Sequence, residues 1–312
     1  MKALLTVPLP RLIQDPPRYP DLGLGYLARH LEANGHEVFI HGWNSRLTPA
    51  EFSGMLRELE PDVVGIKVFT HNFNAVRATM ALISQTLPQT PIILGGPHVS
   101  ATEPKEIFID FPMTSYALRG EAEATLPTLL MHLQGRSVSL NDIPGLVWME
   151  KQQVKFNSPV WTKNLDELGQ PAWEKLYSNR TDHKLGRWQR QKSAPLTASR
   201  GCPGSCAFCS VHKISGNRVR SRSAEAILEE IEYLAGRYRV QNFIFMDTNF
   251  LFDRELTVAI CEGILGRQLR VSWDCVSDYS WYKCDPQLYR LMHRSGCRVM
   301  QVGIESGSDR VR

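Results

Sequence analysis

Arg200-Gly-Cys-Pro-Gly-Ser-Cys-Ala-Phe-Cys209 is the stretch that organises this chain. Cys202, Cys206 and Cys209 stand there in a C-x3-C-x2-C run. A cubane iron–sulfur cluster has four irons, and thiolates are its usual protein ligands. Three thiolates in one short loop hold three irons and leave the fourth open to a small molecule. The spacing therefore points to a catalytic cluster more than to an electron carrier. Two other readings compete. Structural zinc takes four ligands, often in paired C-x2-4-C units. No second pair exists here, and His212 is the residue that could complete such a site. A disulfide framework fits less well, because the seven cysteines are an odd number and the N-terminus Met1-Lys-Ala-Leu-Leu-Thr-Val7 reads as a strand, too short for a signal core.

On both sides of the loop, strand and helix signals alternate, the pattern of a parallel α/β sheet. Ahead of it, residues 3–7, 37–40, 62–69, 91–94 and 115–118 read as short apolar strands. Leu24, Leu27 and Leu31 mark one face of a helix, which Gly35 ends. Thr48-Pro-Ala-Glu51 starts another, with Thr48 as cap, Pro49 in the first turn and Glu51 completing a capping box. Residues 74–87 and 121–133 predict two more helices. Residues 136–190 read as a connector with a small hairpin at 145–149 and 153–156. From Pro195 the alternation resumes. Strands are predicted at 195–200, 242–246, 271–276 and 299–304, with a helix capped by Ser223 and others over 253–265 and 285–296. Sequential βα units suit a partial barrel with its chemistry at the carboxyl ends of the strands.

Composition narrows the function classes. A chain of 312 residues suits about two domains, and 43% apolar residues are enough for real cores. Net charge is +4, from 36 basic and 32 acidic residues, too mild to imply nucleic acid. The densest basic stretch, His183-Lys-Leu-Gly-Arg-Trp-Gln-Arg-Gln-Lys192, reads as a solvated linker. No apolar run reaches the ~18 residues that span a bilayer, so the expectation is a cytoplasmic protein without a membrane span. All seven cysteines lie at or beyond position 202, so the first two thirds of the chain hold no second thiolate-ligated cluster.

With an aromatic, Phe208, just before its last cysteine, the loop resembles the signature of the radical S-adenosylmethionine superfamily. The region ahead resembles a cobalamin-binding domain joined to such an enzyme. Its carriers are Pro20-Asp-Leu-Gly-Leu-Gly-Tyr-Leu-Ala28, Gly35-His-Glu-Val38, Gly65-Ile-Lys-Val-Phe-Thr-His71, Gly95-Gly-Pro-His98 and Arg119-Gly-Glu121. The resemblance implies an α/β chain in three parts. Residues 1–135 form a doubly wound, Rossmann-like cobalamin-binding domain, 136–190 the connector, and 191–312 a partial (β/α) radical S-adenosylmethionine barrel. Such cores usually have six strands, so this one is expected to be truncated after the fourth.

The resemblance also assigns residues. Cys202, Cys206 and Cys209 would hold a 4Fe-4S cluster. Phe208, Asp247, Thr248, Glu305 and Ser306 would contact S-adenosylmethionine, Phe208 near the adenine and Glu305 and Ser306 at the ribose. Thr70, His71, Gly95, Gly96 and His98 fall at strand ends where cobalamin would bind. Two departures matter. The loop Pro8-Leu-Pro-Arg-Leu-Ile-Gln-Asp-Pro-Pro17 lacks the histidine that ligates cobalt in many cobalamin proteins, leaving water, nothing, or another residue such as His71 or His98. The third barrel strand, Trp273-Asp-Cys-Val-Ser-Asp278, lacks the arginine common in similar proteins, and its Cys275 reads as a small buried residue.

The implied activity is reductive cleavage of S-adenosylmethionine to a 5′-deoxyadenosyl radical, then cobalamin-dependent C-methylation of an unactivated carbon. The implied partners are a small-molecule substrate and a low-potential donor such as flavodoxin or ferredoxin. Three alternatives stay open: a radical cyclase or rearrangement enzyme without methyl transfer, a catalytically incomplete cobalamin- or metal-binding fragment, and a tRNA methylthiotransferase. The last needs N-terminal cysteines that this chain lacks.

Overall fold

The computed structural model describes residues 1–8, 19–42, 47–177, 192–278, 285–308 and 310. The loop at 9–17 and most of the basic stretch 183–192 lie outside the described residues. The chain forms two compact units, one holding Met1–Thr162 and the other Gly216–Arg312.

The first unit runs β1 Lys2–Thr6, α1 Leu22–Ala33, β2 Glu37–His41, α2 Pro49–Leu59, β3 Val63–Lys67, α3 Phe73–Thr86, β4 Ile92–Gly95, α4 Pro97–Ala101, α5 Pro104–Asp110, β5 Tyr116–Leu118 and α6 Thr125–Leu133. A hairpin, β6 Leu146–Glu150 and β7 Gln153–Phe156, and the short α7 Trp173–Leu176 follow. The sheet order is β2-β1-β3-β4-β5-β6-β7, with β1 to β5 parallel and the last two pairings antiparallel.

Strand residues alternate between two cores because successive side chains face opposite sides of the sheet. Ala3, Leu5 and Val63 join Leu24, Ala28 and Leu31 of α1 and Leu126, Leu129 and Leu130 of α6. Leu4, Val64 and Ile66 join Phe52 and Leu56 of α2 and Val76, Met80 and Ile83 of α3. Both faces are covered, which is why these strands read as continuous apolar runs. This is a doubly wound α/β unit.

The capping box at Thr48 forms as expected: Thr48 Oγ1 accepts from Glu51 N–H at 3.3 Å, and Glu51 Oε2 accepts from Thr48 N–H at 2.7 Å. Three features depart from the sequence reading. Two short helices, α4 and α5, fill the stretch between β4 and β5, each with a proline in its first turn. The closing helix begins at Thr125, not residue 121, because Glu121 instead accepts from Thr162 N–H at 2.8 Å. The hairpin does not stand apart; β6 pairs with β5 and extends the sheet.

In the second unit, β8 Ser193–Leu196 leads to β9 Ser199–Arg200, the turn α8 Val211–Ser215 and β10 Arg220–Ser221. Then come α9 Ala224–Tyr238, β11 Asn242–Phe245, α10 Arg254–Gly266, β12 Ser272–Asp278, α11 Pro286–Ser295 and β13 Cys297–Gly303. Strands β8, β11, β12 and β13 form one parallel sheet in that spatial order, the partial barrel. Ser223 caps α9 by accepting from Ala226 N–H at 3.2 Å. Ile227, Ile231, Leu234, Ile260, Ile264, Leu288 and Met292 are among the buried helical residues, and Phe245, Phe250 and Trp273 pack ring to ring. Among the described residues, no helix is long and apolar enough to cross a membrane.

Candidate functional site

The cysteine loop hangs from the carboxyl end of β8. Its root is a two-residue antiparallel pair in which Ser199 faces Ser221 and Arg200 faces Arg220. Gly201 then takes φ 92°, a conformation that suits glycine. The loop holds itself: Cys202 N–H donates to Gly216 O at 3.2 Å, and Cys209 N–H to Cys206 O at 3.0 Å. Cys206 is exposed and Cys202 and Cys209 are half-buried. A Cβ at Gly204 would stand 3.4 Å from Cys202 Sγ and 3.8 Å from Cys206 Sγ, so glycine keeps the space beside both sulfurs clear. Among the described residues, no three His, Cys, Asp or Glu side chains converge as ligands of a single ion. A cubane needs each thiolate to meet a different iron, and an accessible loop with a cleared cradle fits that demand.

The other expected residues lie within the loop itself or just beyond β11 and β13. Phe208 is 75% exposed, unusual for so apolar a side chain. After β11 the side chains alternate: Met246 and Thr248 are exposed, Asp247 and Asn249 buried. Asn249 Oδ1 accepts from Ser277 Oγ of β12 at 2.8 Å. After β13, Glu305 takes φ 60° without being glycine, and a Cβ at Gly303 would lie 2.8 Å from its Oε1. A non-glycine residue in this region is sparsely populated backbone, a feature that clusters at ligand sites. Ser306 Oγ accepts from Ser308 N–H at 3.1 Å.

Asp247 is more engaged than its sequence position implies. Its Oδ2 accepts from Ala198 N–H at 3.0 Å, and its Oδ1 accepts from both Ser199 N–H and Ser199 Oγ, the latter at 2.6 Å. Burial pushes its carboxyl up to about 6, against the pull of the Ser199 and Ala198 hydrogen bonds. These bonds also explain why β8 stops at Leu196 and not near residue 200: beyond Leu196 the backbone donors turn to a side chain.

On the other side, Arg222 Nη1 donates to Thr197 O at 3.1 Å and Arg222 N–H to Ala198 O at 2.8 Å. Its guanidinium pairs with Glu230 Oε2 at 2.5 Å, both side chains being almost fully buried. Ser199, Arg222 and Glu230 were not singled out in the sequence. Glu230 alone leaves a trace there, as an acid beside the apolar stripe of α9. Cys275 is buried, and its thiol is raised first by a hydrogen bond with the Cys297 thiol and then by burial.

In the first unit, β3 and β4 bring the expected cobalamin residues together at their carboxyl ends. Val68 N–H donates to Gly95 O at 2.8 Å, and His98 N–H to Val68 O at 3.1 Å. Gly96 takes φ 99°, and a Cβ there would lie 3.0 Å from Val68 O. Thr70 Oγ1 and His98 Nδ1 are 3.0 Å apart, while the His71 ring stacks on Phe69. His98 packs edge-on to Phe73 and Phe111, and its Nε2 is buried without a hydrogen-bond partner. That nitrogen is shut off from solvent, which argues against His98 as a cobalt ligand. The glycine turn at the strand ends is tightly hydrogen-bonded, and Gly96 packs against Lys67 and Val68 where a side chain would not fit. Nearby, Lys67 Nζ pairs with Asp21 Oδ1 at 2.8 Å.

A doubly wound unit with a glycine turn at its strand ends, followed by a parallel βα barrel carrying three cysteines, defines a two-domain class. Residues 12–130 match the B12 binding domain family, and residues 196–312 match the Radical SAM superfamily. The chain therefore carries a B12 binding domain followed by a Radical SAM domain.

Relatives agree. An uncharacterized methyltransferase of Pyrococcus horikoshii is 29% identical, covering 94% of this chain and 62% of that protein. The cytidylyl-2-hydroxyethylphosphonate methyltransferase of Streptomyces wedmorensis is 27% identical, covering 99% and 66%. The anaerobic magnesium-protoporphyrin IX monomethyl ester cyclase of Rubrivivax gelatinosus is 24% identical, covering 93% and 52%. Among solved structures, the cobalamin-dependent S-adenosylmethionine radical enzyme OxsB, with aqua-cobalamin and S-adenosylmethionine bound, matches 99% of this chain and 44% of its own at TM-score 0.80 and 18% identity. The chain thus spans about half to two thirds of the length of the curated relatives it matches.

Proposed function

We propose that this protein is a radical S-adenosylmethionine enzyme that carries out cobalamin-dependent methylation of an unactivated carbon in a small molecule. The observation that carries the reading is the cysteine loop: three accessible or half-buried thiols, flanking a glycine cradle, at the carboxyl end of a parallel barrel strand. Residues 191–312 would serve S-adenosylmethionine and residues 1–135 the corrin, with 136–190 joining them. When bound, a cluster with one open iron supplies the electron that splits the sulfonium, and a corrin supplies the methyl group.

The chain's own residues have simpler tasks. Cys202, Cys206 and Cys209 hold three irons. The exposed ring of Phe208 offers an apolar face to an adenine. Thr248 offers a hydroxyl near the methionine end, beside the buried Asp247. Glu305 and Ser306 present acceptors suited to ribose hydroxyls. Thr70, His71, Gly95, Gly96 and His98 line the corrin side, with neither histidine ligating the metal. A low-potential flavodoxin or ferredoxin is the electron source this chemistry requires, and a cytoplasmic location suits its oxygen-sensitive cluster.

Anaerobic reconstitution tests the reading. About four irons per chain and reductive release of 5′-deoxyadenosine are expected, with S-adenosylhomocysteine alongside if a methyl group is transferred. Deoxyadenosine alone favours the second reading, ring formation or rearrangement without methyl transfer, which the similarity to the cyclase supports. Tight zinc with neither product overturns both. Cys206→Ala should lose the cluster; normal iron loading in that variant would refute the ligand assignment.

A further inference from the structure

The root of the cysteine loop is held by side chains as well as by the short β9–β10 pair. β8 leaves its pairing with β11 at Leu196. The next three residues make none of the β8–β11 ladder bonds, and several of their polar groups find other partners. Thr197 O accepts from the Arg222 guanidinium, and Ala198 O from the Arg222 backbone. Ala198 N–H, Ser199 N–H and Ser199 Oγ all turn to the single carboxylate of Asp247. Cys202 lies three residues further on.

A carboxylate that served only a ligand would need an open face, whereas Asp247 is 4% exposed. Its neighbour Thr248 is the exposed side chain of the pair. A buried carboxylate without compensating donors is costly, and here the donors come from the loop root itself.

We propose that Asp247 is a positioning residue: by accepting from Ala198 and Ser199 it fixes the segment from which the cysteine loop departs, and it acts on the cluster through that segment and not by binding S-adenosylmethionine. This rests on the reading of Cys202, Cys206 and Cys209 as cluster ligands.

The test uses the whole chain, reconstituted anaerobically, as wild type, Ser199→Ala, Asp247→Asn and the double variant. Iron loss to a chelator is followed by the decay of cluster absorbance, and the reduced cluster's electron paramagnetic resonance spectrum is recorded with and without S-adenosylmethionine. Ser199→Ala leaves the carboxylate in place but removes one donor; cluster loss should quicken about threefold or more. Asp247→Asn sets an amide N–H against backbone N–H donors, and loss should quicken about tenfold or more. The double variant should be no faster than Asp247→Asn, because Ser199 Oγ works through that carboxylate. The spectral change on adding S-adenosylmethionine should persist in Ser199→Ala.

Direct binding gives the opposite pattern: wild-type chelation in both single variants, with the spectral change lost only in Asp247→Asn. That result overturns the proposal. If Asp247→Asn does not fold, Ser199→Ala decides alone, and a wild-type chelation rate overturns it. A wild-type protein that takes up no cluster fails at the earlier step, refuting the ligand reading and this inference with it.

Discussion

Glu230→Gln should destabilise the second unit, and the structure sets the size of the effect. Arg222 and Glu230 meet at 2.5 Å with side chains only 3% and 1% exposed. Glutamine keeps the shape and one oxygen acceptor but removes the charge. The guanidinium is then buried against neutral acceptors: the amide oxygen, Thr197 O at 3.1 Å and Ala226 O at 3.3 Å. Breaking a buried pair by removing one partner costs about 3–5 kcal/mol. The neutral acceptors that remain place this case near the lower end, about 3 kcal/mol. For a domain of this size that corresponds to a fall in Tm of about 6–12 °C. Scanning calorimetry of the anaerobic protein reads it. The comparison variant replaces both residues, Arg222→Met with Glu230→Leu, and removes both charges together. Its stability should stay within about 2 kcal/mol of wild type. A Glu230→Gln melting point within about 2 °C of wild type would refute the reasoning. So would a double variant that falls as far as the single one, since the loss would then not come from a stranded charge.

Three further outcomes are expected. His41, hydrogen-bonded to Thr6 and packed on Phe52, is pushed by burial down to about 4. An unfolded histidine takes up its proton near pH 6.5, so the stability this group contributes is complete above that value and is lost as pH falls towards 4. The loss amounts to about 3 kcal/mol, and His41→Gln should flatten the acid limb of denaturant unfolding midpoints between pH 4 and 7; an unchanged limb counts against it. Gly204→Val places carbon beside the sulfurs of Cys202 and Cys206, so iron uptake should collapse while circular dichroism stays at the wild-type level; full uptake contradicts the cradle. Gly96→Ala meets Val68 O at 3.0 Å at φ 99°, so the β3–β4 turn should shift and hydroxocobalamin affinity should drop about tenfold or more. Equal affinity by visible titration would show that this turn does not face the corrin.

What the sequence disclosed was what depends on near neighbours. The cysteine spacing, the Thr48–Glu51 box and the Ser223 cap are all set within a few residues, and each is legible as a pattern. Alternating apolar runs likewise disclosed both βα series. The grip on the loop root was not legible, because Ser199 and Asp247 are 48 residues apart and no periodicity links them. The same holds for Glu121 and Thr162, 41 residues apart, whose bond delays the start of α6. α4 and α5 escaped because helices of five and seven residues carry little periodicity. The resemblance assigns Asp247 to S-adenosylmethionine, and only the folded chain shows that alternation along that stretch buries it and leaves Thr248 exposed.

The hairpin that completes the first sheet bears on how the protein could be dissected. β5 is three residues long, and its outer flank is taken by β6. Cutting the chain at residue 135 would strip Tyr116–Leu118 of those partners and uncover the apolar surface now shielded by Ile143, Leu146 and Trp148. Such a piece would offer bare amides and carbonyls to any passing copy of itself and should clump. Extending it through Leu176 would retain buried Trp173 and the Lys175–Glu32 pair, and should yield a well-behaved species for corrin titration.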